Sequence, residues 1–184
     1  MPTSAGAAVS ARSINAYTAP DNFQAQRLEQ VFARCFSRRW RTRLVGGADE
    51  PSYQPATDMH ALHMLYYRSD YFASALHETA HWCIAGEQRR QLPDFGYWYA
   101  PDGRNHQQQL AFEAVEAKPQ ALEWLFSLAC DYRFRISVDN LGAPGGVPDT
   151  APFGQQVLSA ARQWQRRGLP QRAELFFQLL PGHF

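Results

Sequence analysis

Two histidines four residues apart stand in the string HETAH, which covers residues 77–81. On a helix, His77 and His81 lie one turn apart on the same face, so that both imidazoles can bind one metal ion. Glu78 lies about 100° around the helix from His77, where its carboxylate can act as an acid or base beside the metal. The string therefore predicts a metal centre in which Glu78 is the catalytic residue.

A metal ion bound by two histidines needs at least a third protein ligand. The segment FEAVE, residues 112–116, offers Glu113 and Glu116 three positions apart on one side of a predicted helix. We favour Glu116 as the ligand, and Glu113 remains the alternative ligand or a residue that supports the ligands. His60 and His63 are interpreted as non-ligands, because they lie across the start of a predicted strand.

The elements that must position these residues follow from apolar spacing and from capping residues. Gly86 is expected to end the metal helix in a left-handed conformation, and Pro119 either kinks the helix before it or starts a new one that runs to Cys130. The expected N-caps are Asp21, Ser69 or Asp70, and Asn105. The predicted helices cover residues 21–37, 70–85, 105–118, 153–167 and 170–180, and the predicted strands cover residues 42–45, 62–67, 95–99 and 135–138.

This pattern predicts the α+β class, with a single, mostly helical domain, a small sheet and a zincin-like arrangement around the HExxH helix. The domain is expected to cover residues 21–184, after a flexible tail over residues 1–20. The chain has 184 residues, of which 45% are hydrophobic, which is enough for a packed core.

Composition argues against several classes of protein. The net charge is +1 and no basic face stands out, so we expect no direct contact with nucleic acid. No apolar run approaches the ~18 residues of a membrane span, and residues 1–20 lack the apolar region of a signal peptide. The three cysteines are far apart, which is typical of reduced thiols and predicts a cytoplasmic protein.

The residues alone leave two functions open, because two histidines and one carboxylate can hold Zn²⁺ in a peptidase or Fe²⁺ in an oxygenase. A peptidase also needs a strand edge for its substrate and a donor for the oxyanion. The string FGYWY, residues 95–99, could supply the edge, and the donor could be Tyr97, Tyr99 or Arg104.

Three strings carry a resemblance to a known family. They are YFASALHETAHWCIAG at residues 71–86, RRQLPDFGYWYAPDGR at residues 89–104 and FEAVEAKPQALEWLF at residues 112–126. In this order they resemble the elongation factor P hydroxylase family, and the likeness runs from about residue 23 to residue 180.

The resemblance implies an iron-dependent hydroxylase that uses dioxygen to hydroxylate the β-lysylated lysine of the translation factor elongation factor P. It implies Fe²⁺ on His77, His81 and Glu116, although a purified sample could carry another divalent metal such as Zn²⁺. An HExxH zinc metallopeptidase stays the alternative. Because the modified lysine carries two amines, we expect an acidic and aromatic pocket. Its candidate residues are Asp94, Tyr97, Trp98, Tyr99, Asp102 and Arg104, with Glu113 beside them.

Overall fold

The computed structural model describes residues 23–97, 102–144, 146 and 149–180. Within these ranges the fold is mostly helical with one small sheet, which confirms the predicted α+β class. The helices are α1 (Ala25–Phe36), α2 (Phe72–Ile84), α3 (His106–Ala129), α4 (Ala151–Arg167) and α5 (Gln171–Leu179), and the strands are β1 (Thr42–Ala48), β2 (Ser52–Gln54) and β3 (His63–Arg68). Among the described helices, none is both long and apolar enough to cross a membrane.

The sheet has the order β1-β3-β2. β1 runs parallel to β3, with Thr42 opposite His63, and β2 runs antiparallel to β3, with Tyr53 opposite Leu65. The three-residue β2 is absent from the predicted strands, because a strand this short leaves no readable alternation. β3 leads almost directly into α2, so that the sheet fixes where the metal helix begins.

The main core lies behind α2, between α1, the sheet and α5. Trp82 is fully buried there and contacts the rings of Phe32 and Phe36 at centroid distances of 5.3 and 4.6 Å. Aromatic packing of this kind anchors α2 through one face. The other face, which carries His77 and His81, turns toward α3.

The long helix α3 corrects one of the two alternatives predicted for Pro119, that a new helix starts there. It runs without interruption for 24 residues and contains Pro119 as a buried residue. The tertiary packing of α3 against α2 and α4 outweighs the hydrogen bond that proline removes. Asn105 caps α3 as expected, and with Gln108 it forms a reciprocal capping box.

Two predicted strands are wrong. Pro93–Gly96 forms a 3-10 turn with Asp94 and Phe95 in the left-handed region, because the Asp94 carboxylate accepts the Tyr53 N–H at 2.7 Å. Residues 135–138 are extended but unpaired with another strand, since the Gln120 side chain binds the backbone of Ser137 instead. Tyr97 follows the turn in extended conformation, whereas the predicted strand residues Trp98 and Tyr99 lie outside the described residues.

The predicted ends of α2 also need correction. Its N-cap is Tyr71 rather than Ser69 or Asp70, and no side chain caps it. Gly86 is not left-handed, because the chain leaves α2 through an extended Ala85. The predicted cap Asp21 and the predicted tail over residues 1–20 lie outside the described residues.

Candidate metal centre

The imidazole rings of the two HETAH histidines approach each other on one face of α2. Their Nε2 atoms are 3.0 Å apart, as expected for side chains one turn apart on the same helical face. Both side chains are largely buried, with exposed fractions of 24% for His77 and 11% for His81. Two ring nitrogens this close can share one metal ion or one proton.

Glu116 on α3 completes this pair. Its Oε1 lies 3.3 Å from the Nε2 of His81, and its Oε2 lies 3.4 Å from the Nε2 of His77. One ligand atom from each of the three residues lies within 4.8 Å of the others. Such separations match the edges of a coordination shell with bonds of about 2 Å, so the donor set fits a divalent metal.

The burial of Glu116 gives a second reason to infer a metal. Its side chain is only 3% exposed, and its Oε2 atom has no hydrogen-bond partner in the described part of the chain. A buried carboxylate oxygen without a partner is costly, whereas a metal ion would satisfy it.

Glu123 is a residue of the centre that the sequence analysis missed. Its Oε2 lies 2.8 Å from the Nδ1 of His77, on the ring edge that faces away from Glu116. Glu123 follows Glu116 by two helical turns, so both carboxylates lie on the same face of α3.

The sequence does mark this face of α3 as unusual. Six polar residues recur along α3 at alternating spacings of four and three, and all six are buried. Polar residues at a spacing that normally marks an apolar face indicate a functional surface. They are Gln109, Glu113, Glu116, Gln120, Glu123 and Ser127.

The charges of the centre act strongly on one another. Burial favours neutral His77, but the neighbouring carboxylates of Glu116 and Glu123 outweigh it and raise the pKa of His77 well above its usual value. Burial would also raise the pKa of Glu116, yet the nearby charge of His81 and the adjacent His77 ring hold it well below its usual range. Burial raises the pKa of Glu78. Without a metal, a proton on the His77 imidazole therefore helps to balance the Glu116 charge.

A cavity of about 570 Å³ opens onto the centre. His77, Glu78, His81 and Glu116 line it, so the predicted catalytic carboxylate and the three predicted ligands face one space. Among the predicted pocket residues, Asp94 and Tyr97 line it too. Its other carboxylates are Glu50, Glu123 and Asp139, and its arginines are Arg68 and Arg135.

Three predicted pocket residues lie elsewhere. Arg104 is buried, donates to the carbonyls of Val138 and Asp139, and stacks on the ring of Phe112. The Asp102 carboxylate accepts the N–H groups of Gly103 and Gly142 in a turn. Glu113 accepts a hydrogen bond from Gln109 and does not line the cavity. Trp98 and Tyr99 are outside the described residues.

Two comparisons with known proteins bear on this centre. The family described as Elongation factor P hydroxylase matches residues 31–184, which is most of the chain. The chain belongs to this family. It is also 50% identical over 155 residues to a Haemophilus influenzae protein named Elongation factor P lysine hydroxylase, and the alignment covers 84% of this chain and 85% of that protein.

Membership of the elongation factor P hydroxylase family confirms the resemblance seen in the three strings. The matched range includes α2 and α3 and therefore every residue of the candidate metal centre. It also includes the sheet that fixes the start of α2.

Proposed function

We propose that this chain is a metal-dependent enzyme that uses dioxygen to hydroxylate the β-lysylated lysine of elongation factor P in the cytoplasm. The observation that carries the proposal is the 50% identity, over most of both chains, to a protein named Elongation factor P lysine hydroxylase. Three free cysteines, of which Cys83 and Cys130 are buried, are compatible with a reducing compartment.

We assign Fe²⁺ to His77, His81 and Glu116, in a zincin-like arrangement of one HExxH helix and a carboxylate from a second helix. Support comes from the short distances within the group and from the partnerless Oε2 atom of Glu116. Iron held by two histidines and one carboxylate keeps coordination positions open for dioxygen chemistry.

The remaining residues of the centre orient a metal ligand and hold a proton. Glu123 accepts a hydrogen bond from the Nδ1 of His77, which leaves Nε2 free to bind the metal. Glu78 follows His77 on α2 and lines the cavity, where its carboxylate can hold a proton beside the reacting carbon.

A zinc peptidase would use the same triad, but the edge of the sheet argues against it. A peptide substrate of such an enzyme adds to a free strand edge through backbone hydrogen bonds. At the outer edge of β2 the Tyr53 N–H already binds Asp94, and the Tyr53 ring stacks on Phe95 at 4.3 Å. This edge is therefore covered by the 3-10 turn.

Isotopically labelled dioxygen tests the proposed reaction. The iron-loaded and zinc-loaded full chain would each be incubated with β-lysylated elongation factor P under labelled dioxygen and a chemical reductant, which supplies the two electrons that reduce the second oxygen atom to water. We expect labelled oxygen on the modified lysine with the iron form alone. Cleavage of the factor by the zinc form, without oxygen transfer by the iron form, would overturn the proposal in favour of the peptidase.

A further inference from the structure

The segment of residues 133–140, which is neither helix nor strand, contributes Arg135, Ser137 and Asp139 to one wall of the cavity and is bonded to the ligand helix α3. Gln120, one turn beyond Glu116, donates to the Ser137 carbonyl at 2.7 Å and accepts the Ser137 N–H at 3.1 Å. Gln120 is buried, with an exposed fraction of 2%. This two-bond contact resembles a strand pairing, so it sets the position of the segment relative to the metal ligands.

A second set of contacts fixes the end of this wall. Arg104 donates to the carbonyls of Val138 and Asp139, and Gln109 also donates to that of Val138. The Asn140 side chain accepts from the N–H of Arg104 and donates to its carbonyl. These buried bonds hold Asp139 at a φ of 45°, in the left-handed region that few residues other than glycine adopt.

Asp139, whose backbone these bonds hold, places its carboxylate at the wall of the cavity. Asp139 lines the cavity, and its side chain has no hydrogen bond or salt bridge with any residue that the structure describes. Burial raises the pKa of Asp139, and although Arg104 opposes this, the negative charges of Asp102, Glu116 and Glu50 raise it further. A carboxylate among like charges, at the wall of a substrate cavity, is an acceptor suited to a cation.

We propose that Asp139 determines specificity by binding an ammonium group of the modified lysine arm. This inference rests on the proposed function, which makes the substrate arm cationic. A Lys-type ammonium offers three donors, and a charged hydrogen bond to Asp139 would position the arm with its reacting carbon toward the metal centre.

The test compares Asp139→Asn with Asp131→Asn. Asparagine keeps the size of the side chain and tolerates the left-handed conformation, so the backbone is preserved. Asp131 is the matched control, because it is exposed, has a φ of 56° and does not line the cavity. Each iron-loaded full chain would be assayed on elongation factor P with the β-lysyl arm and with the same arm acetylated at its amines.

We expect the wild-type chain and Asp131→Asn to prefer the charged arm strongly. Asp139→Asn should lower kcat/KM for the charged arm about tenfold or more, mainly through KM, while the acetylated arm reacts as before. Circular dichroism and melting curves would confirm that both variants are folded.

Two results would overturn the inference in different ways. If the wild-type chain hydroxylates the factor but Asp139→Asn retains its preference for the charged arm, the role of Asp139 is refuted and the proposed function stands. If the wild-type chain hydroxylates neither form, the proposed function fails and this inference fails with it.

Discussion

Glu123 differs from the other buried carboxylates of α3, because it contacts the ring nitrogen of His77 that faces away from Glu116. Removing that contact should loosen His77. We predict that Glu123→Ala weakens metal binding about 10- to 100-fold, and that Glu123→Gln retains part of the affinity through its amide oxygen.

Competition with a chelator would measure this affinity without any turnover. Glu113→Ala is the matched control, since Glu113 is buried on the same helix face but is bonded to Gln109 and lies off the cavity. Equal losses in the Glu123 and Glu113 variants would point to a general effect on α3 and against an orienting role.

Glu78 gives a second prediction at the residue scale. Glu78→Gln removes a carboxylate that can hold a proton but leaves the three proposed ligands in place. We expect turnover to fall by a factor of about 100 or more, while bound metal and melting temperature stay near wild type. Turnover equal to wild type would instead show that Glu78 is not catalytic.

At the residue scale, the sequence predicts some residues of the metal centre and misses others. HExxH spacing predicts that His77 and His81 share a helical face, and the structure places them so. Spacing alone did not decide whether Glu113 or Glu116 is the third ligand. Glu123 escaped notice because its partner lies 46 positions earlier in the chain. Arg104 was read as a pocket residue, but its guanidinium is turned inward by backbone carbonyls far along the chain.

At the scale of elements, the C-terminus of α2 depends on two arginines. Arg172 of α5 donates to the carbonyls of Trp82, Cys83 and Ala85 and stacks on the Trp82 ring at 4.8 Å, and Arg90 also donates to Ala85. These bonds satisfy the free carbonyls at the helix end and place positive charge at the negative end of the helix.

We predict that Arg172→Ala lowers the free energy of unfolding by about 1.5 to 3 kcal/mol, because charged hydrogen bonds to carbonyls and a stacked ring are lost together. Urea unfolding would measure the change. Arg162→Ala is the control, since Arg162 is exposed on α4. Equal stability of the two variants would contradict the capping role.

Helical elements were predictable where periodicity and caps agree, as for α3 at Asn105. The continuation of α3 through Pro119 was not predictable, because it depends on packing against α2 and α4, which local helix propensity does not describe. The aromatic string at residues 95–99 resembles a strand in its sequence. Its first residues instead lie in the 3-10 turn Pro93–Gly96, where the Asp94 carboxylate accepts a hydrogen bond from the distant Tyr53 N–H.

At the scale of the whole molecule, the proposed metal joins α2 to α3. A ligand that binds only the folded state stabilises it, by about 2.7 kcal/mol when its concentration is 100 times Kd. We therefore predict that Fe²⁺ or Zn²⁺ raises the melting temperature of the wild-type chain and that a chelator reverses the change. His77→Ala should show neither effect, and a similar rise in that variant would place the metal elsewhere.

The mostly helical α+β class was predictable from the pattern of elements, because apolar periodicity survives in every long helix. The order β1-β3-β2 was not, since pairing of distant short strands leaves no local signal. Function came mainly from the three strings that resemble the family, because the ligand set alone suits two metals and two reactions.

Mass spectrometry of β-lysylated elongation factor P, after incubation with the iron-loaded chain and a chemical reductant in air, tests the proposed hydroxylation directly. The account predicts that the modified lysine peptide gains the mass of one oxygen atom with the wild-type chain and gains nothing with His77→Ala. An unchanged peptide with the wild-type chain, or an equal gain with His77→Ala, would contradict it.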